Sequence, residues 1–219
     1  MTGDRCYNGS PSMVARSRGG PRLVLASTSP RRIELLARLG VPFESVDPRV
    51  VEVPQDPMTP LRLAQWAAAR KARAVARRRP DAVVLAADTV VMLQRAAFGK
   101  PASAADARRM LRALSGKTHQ VVTAVHVVAA SRGCEVSGYS RTGVTMRTLP
   151  AGTIERYVRS GEVKDKAGSY AIQGEGARLV RAVRGPFDNV VGLPLHLVAR
   201  LLRQCGLAVP RRPPAWFQR

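Results

Sequence analysis

The sequence predicts an α/β domain. Short apolar runs of strand length alternate with segments of helical period. The helical segments carry their own start and stop residues. With 219 residues, 45% of them hydrophobic and 23% charged, the chain can bury an ordinary single core.

The elements follow in order. Residues 22–27 (RLVLAS) are a short apolar run, the pattern of a buried strand. Ser29 is placed to cap a helix with Pro30 at its first position, and Gly40 ends it. Ile33, Leu36 and Leu39 give that helix one apolar face. Proline punctuates residues 47–60, and Thr59-Pro60 then opens a long Ala/Arg helix to about Arg79. Residues 82–93 (AVVLAADTVVML) read as a strand pair or one bent strand. Ser103-x-x-Asp106 is a capping box, and its helix runs to Leu114 with Gly116 closing it. Residues 120–130 are a strand, and 134–147 its hairpin partner, so part of the sheet is antiparallel. A helix is expected near 151–160, short strands near 170–173 and 179–184, and a last helix near 194–204. Residues 1–20 read as a disordered Gly/Ser/Pro/Arg leader, residues 21–209 as the domain, and 210–219 as a Pro/Arg tail.

Composition narrows the function. No apolar run reaches the roughly 18–20 residues that a membrane span needs, and the N-terminus has no signal-peptide core. The net charge of +21 favours polyanionic partners, from phosphorylated small molecules to nucleic acid. Of the 36 basic residues 31 are arginine, so much of that charge reflects a chain that uses arginine by default. Cys6, Cys134 and Cys205 are an odd number, far apart, without a C-x-x-C pair. They argue against a disulfide framework and for a reduced, cytoplasmic setting. The three histidines lack metal-ligand spacing, and His126, on an apolar strand, reads as a satisfied structural residue.

Four places stand out chemically. In Ser27-Thr28-Ser29-Pro30-Arg31-Arg32 a strand gives way to a helix N-terminus, which is an anion site. Two arginines in a first helical turn oppose the helix dipole, unless a phosphate lies between. The competing reading is a surface Arg pair. Asp88, with Thr89, interrupts the apolar run 82–93, and a buried aspartate must be paired, hydrogen-bonded or metal-bound. A bulge aiming it into a cleft is one solution, and a turn capped by Asp another. Lys71 and Lys100 are two of only five lysines, and in an arginine-rich chain they mark sites that want a compact charge. Either alone also fits a solvated surface. Residues 165–174 (DKAGSYAIQG) are dense in small and polar residues, where Gln173 can read a base edge and Gly174 and Gly176 allow close approach. Ser115-Gly116-Lys117-Thr118 looks like the end of a P-loop, but Leu111 replaces the first glycine and helix precedes strand. It is a helix C-cap.

Together these segments resemble the Maf family of nucleoside triphosphate pyrophosphatases. The stretches are LVLASTSPRRIELLARLG, LAADTVV, FGKPASAADARRMLRALSGKTHQVVTAV, GEVKDKAGSYAIQG and NVVGLPL, in order from residue 23 to about 195. The resemblance implies an elongated mixed β-sheet flanked by helices, in two lobes with a central cleft. It implies hydrolysis of a nucleoside triphosphate to monophosphate and pyrophosphate, with Mg²⁺ or Mn²⁺ as the divalent cation. Ser27, Arg31, Arg32, Lys71, Thr89, Lys100 and Gln173 are then the substrate-binding residues. Asp88 is the general base or a metal ligand, and Glu52 a second metal ligand. The segment around Gln173 resembles the branch acting on dTTP and UTP. Trp66-Ala67-Ala68 replaces the family's Arg-Leu-Ala, and Ala171 its glycine. The resemblance further implies a homodimer, with no membrane and no specific nucleic acid as partner. The charge alone supports a different class, a basic nucleic-acid-binding protein. A non-catalytic interaction protein in division control is the third reading, and retention of the site residues argues against it.

Overall fold

Three long strands form the frame. β3 (Val83–Leu93), β5 (Thr118–Ala129) and β6 (Cys134–Met146) run antiparallel, β3 paired with β5 and β5 with β6. The computed structural model describes residues 22–51, 54, 56–94 and 96–210. The expected leader, the tail after Pro210, Cys6 and Glu52 lie outside the described residues. A seven-stranded mixed sheet results, in the order β2-β1-β3-β5-β6-β7, with β4 (Ala96–Phe98) pairing only with β3. β1 (Leu23–Ala26) is parallel to both β2 (Phe43–Val46) and β3, while β7 (Val180–Arg184) is antiparallel to β6.

Of residues 82–93, Val83–Leu93 thus form one continuous strand, with neither the bulge nor the turn that the sequence left open. Asp88 sits in register opposite Ala124. β2 and β4 are strands the sequence did not reveal. β2 is FESV, half polar at a sheet edge, and β4 is only three residues, so neither has an apolar run. The expected strand at 170–173 is absent. The chain instead makes short 3₁₀ turns at Ala167–Ser169 and Gly174–Leu179, because Ser169 and Gly174 take positive φ.

The helices cover two faces. α2 (Pro60–Arg78) lies across one face, capped by Thr59, whose hydroxyl accepts from the Arg62 N–H at 3.4 Å. Its inner side is almost all alanine, Ala64, Ala68, Ala72 and Ala76 with Val75, so the helix packs close to the sheet. The opposite face carries two apolar clusters. α1 (Pro30–Ala37) and α6 (Leu195–Gln204) bury Leu36, Leu85, Val127, Leu201 and Leu202 at one end. α3 (Ala104–Leu114) and α4 (Ala151–Arg159) bury Leu111, Leu114, Val144, Met146 and Ile154 at the other. The α3 capping box forms as expected: the Ser103 hydroxyl accepts from the Asp106 N–H, and the Asp106 carboxylate from the Ala102 N–H. Between the clusters lies α5 (Phe187–Val191), a five-residue helix missed in the sequence because it is too short to repeat a helical pattern.

The cysteine expectation is overturned. Cys134, opening β6, and Cys205, after α6, form a disulfide, with their Cα atoms 5.6 Å apart. They are 71 residues apart in the chain, and only the packing of α6 on the sheet brings them together. Thiol titration of the unreduced, denatured protein is expected to find one free sulfhydryl among its three cysteines. Three would show that the bridge does not form.

Candidate active site

The site begins where β1 stops. Ser27, immediately after it, is 6% exposed; its hydroxyl accepts from the Ser29 N–H at 3.2 Å and its carbonyl from the Ser45 hydroxyl at 2.5 Å. The turn into α1 is therefore pinned. Ser29 holds the N-cap position but makes no side-chain capping bond, contrary to the sequence expectation. The first-turn N–H groups of α1 thus keep the partial positive charge that attracts anions.

The open stretch of β3 lies next to this turn. β1 pairs with β3 only over Val83–Leu85, and β4 only over Val91–Leu93. On that side Ala86–Val90 has no strand partner among the described residues, while β5 pairs with it continuously on the other. Asp88 and Thr89 sit in this gap, pointing to opposite faces of the sheet as successive strand residues must. Asp88 meets α2: the Lys71 ammonium donates to its Oδ1 at 2.7 Å. Lys71 is 7% exposed, so the surface reading of this lysine fails. It projects from the alanine side of α2, which alone is shallow enough to admit it. Thr89 meets α1: Arg32 donates from Nη2 to the Thr89 hydroxyl at 3.1 Å and from Nε to the Gly192 carbonyl at 3.0 Å.

The remaining candidates lie on turns. Lys100 is exposed, in a turn whose Gly99 carbonyl accepts from the Gly168 N–H at 3.0 Å. A Cβ on Gly168 would press on Val91 at 3.1 Å, so glycine is what lets these turns close up. Gln173 is exposed and makes no hydrogen bond to the other candidates among the described residues. Its turn is held from below. The Glu162 carboxylate accepts from the N–H groups of Glu175 at 3.1 Å and Gly176 at 3.0 Å, and the Tyr157 hydroxyl accepts from the Ala171 N–H at 2.9 Å. Burial pushes the Glu162 carboxyl up, but those N–H donors outweigh it and hold it below its ordinary value.

A further lysine escaped the sequence reading. Lys166, in the same segment, is lowered in pKa by burial and then by the charge of the neighbouring Arg31. Its rarity as a lysine was the available signal. His119 is 1% exposed, bonded through Nε2 to the Tyr170 hydroxyl at 2.7 Å, and burial lowers its pKa to about 4. It is a neutral structural residue beneath the Gln173 segment. His126 is satisfied as expected, by Glu135 at 2.6 Å.

Among the described residues no three His, Cys, Asp or Glu side chains cluster as a metal cage. Asp88 supplies one carboxylate in the open stretch of β3. That donor set fits an Mg²⁺-like ion held by one or two carboxylates and by substrate phosphates, and does not fit a protein-enclosed one. Among the described residues no helix is long and apolar enough to cross a membrane.

An α/β chain with a phosphate-type helix turn, a buried Lys–Asp pair and a gapped central strand points to a phosphoanhydride-handling class of protein. The family comparison agrees, with a Maf-like protein model matching residues 22–205. The chain belongs to that family. A dTTP/UTP pyrophosphatase of Deinococcus radiodurans is 51% identical over 188 residues, covering 86% of this chain and 95% of that protein. One from Moorella thermoacetica is also 51% identical, covering 86% and 97%. Among solved structures, a HAM1 protein from Coxiella burnetii covers 85% of this chain and 98% of its own at 14% identity, with a TM-score of 0.47.

Two measurements test this geometry. Lys71→Met strands the Asp88 carboxylate against α2 and is expected to lower unfolding stability in urea by about 3 kcal/mol; no loss would mean that the pair is solvated. The His119 pKa is about 4 folded, against 6.5 for the unfolded chain. The unfolded state therefore binds the extra proton, and the contribution is full above pH 6.5 and lost as pH falls toward 4. The loss is on the order of 3 kcal/mol, and His119→Gln is expected to flatten that part of the stability profile.

Proposed function

We propose that this protein hydrolyses dTTP and UTP to the monophosphate and pyrophosphate. The observation that carries the reading is the Lys71–Asp88 pair set in the unpaired stretch of β3, beside the N-terminus of α1. The activity named for the Deinococcus and Moorella relatives, at 51% identity over most of the chain, supports the same substrate class.

The reaction joins a water oxygen to the α-phosphorus and breaks the bond to the β-phosphate, whose oxygen leaves with pyrophosphate. Little covalent work falls to the protein, so the task is positioning and charge neutralisation. In this reading the α1 N-terminus with Ser27, Arg31 and Arg32 holds the triphosphate. Lys71 and Lys100 add charge from α2 and from the turn after β4. Lys166, lowered in pKa by burial and then by the charge of Arg31, belongs to the same set. Asp88 orients the attacking water and takes its proton. A bound Mg²⁺ or Mn²⁺, held by Asp88 with Glu52, would supply charge neutralisation at the phosphate oxygens and make the water more acidic. Gln173, on the turn clamped by Glu162 and Tyr157, pairs with the pyrimidine edge. A nucleotide pool as substrate supports a cytoplasmic setting, against which the Cys134–Cys205 bridge weighs.

The test is pyrophosphate release from a panel of dTTP, UTP, 7-methyl-GTP and purine triphosphates with Mg²⁺ or Mn²⁺. Release from dTTP and UTP, reduced at least about a hundred-fold in Asp88→Asn, is the expected result. Release from 7-methyl-GTP alone would overturn the role given to Gln173, and no release from any nucleotide would overturn the reading itself.

A further inference from the structure

The segment NVVGLPL contributes no residue to the set above, yet its backbone reaches Arg32 twice, directly from the Gly192 carbonyl and through Thr123 and Thr89 from the Asn189 carbonyl. Thr123, in β5, and Asn189, in α5, are both fully buried. The Thr123 hydroxyl donates to the Asn189 carbonyl at 2.9 Å and stands 3.0 Å from the Thr89 hydroxyl. A hydroxyl has one hydrogen, and a carbonyl can only accept. Thr123 therefore spends its hydrogen on Asn189, so the Thr89 hydroxyl must be the donor in its bond to Thr123. The Thr89 oxygen is then left as an acceptor, and Arg32 occupies it from Nη2 at 3.1 Å. Every proton in the chain Arg32–Thr89–Thr123–Asn189 has a fixed direction.

Asn189 anchors the far end. Its Nδ2 donates to the Val121 carbonyl and to the Thr142 hydroxyl, each at 3.0 Å, and Thr142 donates onward to the Pro186 carbonyl at 2.8 Å. The same short helix returns to Arg32 through the Gly192 carbonyl, the acceptor for Nε. Asp188 stiffens that return by accepting from the N–H groups of Asn189 at 2.9 Å and Leu195 at 2.7 Å. Gly192 has φ of +125°, a conformation that side chains rarely adopt.

We infer that Thr123 and Asn189 are positioning residues for Arg32, acting through Thr89, whose hydroxyl is an acceptor for the guanidinium and has no hydrogen to give a phosphate. This rests on the proposed role of Arg32 in holding the triphosphate and goes beyond it. A guanidinium held at both Nε and Nη2 is fixed in plane, which is what bidentate recognition of phosphate oxygens requires.

The test separates the hydroxyl from the packing. Thr123→Val keeps the shape and removes the relay; Thr123→Ser keeps the relay. Two readouts are taken: tripolyphosphate affinity by calorimetry, which needs no turnover and no base, and kcat/KM for dTTP. Thr123→Val is expected to weaken both by about ten-fold, with Thr123→Ser within about two-fold of the wild type. In a Thr89→Val background Thr123→Val should cost nothing further, since the path is already cut. If Thr123→Val does not fold, Thr123→Ala against Thr123→Ser makes the same comparison, the two differing by one hydroxyl. Wild-type tripolyphosphate affinity in the Val or Ala variant would overturn the inference, as would equal losses in it and the Ser variant. If the wild type binds tripolyphosphate but cleaves no nucleotide, the proposed function fails while the affinity comparison still decides the relay.

Discussion

A central strand that is paired along one side and open in the middle of the other is the constraint on which this molecule turns. β3 cannot be an ordinary edge, because both of its faces are covered by helices and its ends are zipped to β1 and β4. Among the described residues only Ala86–Val90 is left without a strand neighbour on that side, and that short length is where polar side chains can enter an otherwise apolar sheet. A strand alternates its side chains between faces, so one opening serves two layers. Asp88 turns to α2 and Thr89 to α1, and the opening draws Lys71 and Arg32 from helices that lie on opposite sides of the sheet.

The packing explains why each layer tolerates this. On the α2 side the cost of burying a charge is offset by Lys71, and the alanine surface of the helix lets the two groups meet at 2.7 Å. On the other side the two apolar clusters do not fuse. Thr89, Thr123, Thr142 and Asn189 form a polar seam between them, with Val191 touching both clusters. The seam gives its hydroxyls and the Asn189 amide defined directions, where a continuous apolar core would fix volume and leave orientation to side-chain packing. The expected two-lobed form thus corresponds to two separately packed ends of the same three long strands.

Much of this was legible in the residues. α2 and α3 have long periods and capping residues, the β5–β6 hairpin and α6 have long periods, and all appear within a few positions of expectation. Asp88, Lys71 and the turn at Ser27 stood out because each departs from its surroundings: a carboxylate among valines, a lysine among arginines, hydroxyls between strand and helix. What stayed hidden had no such contrast. Thr123 looks like any strand threonine, and Asn189 and Glu162 gain meaning only from carbonyls and N–H groups distant in sequence. β2 and β4 exist because a neighbour offers hydrogen bonds, a property of the sheet and not of FESV or AAF. Cys134 and Cys205 are brought together by the same tertiary packing.

The order of chain segments in the sheet has a kinetic corollary. β5 and β6 are joined by a short turn and pair residue for residue from Thr118 to Ala129, so this hairpin closes only short loops as it forms. Arg32 and Gly192 are 160 residues apart, and their bond waits for α5 to dock and for β1 to join β3 in parallel. Non-local and parallel pairings carry the largest entropic delay in assembly. On renaturation Arg32 therefore falls into place after the sheet that supports it, and recovery of turnover trails recovery of secondary structure.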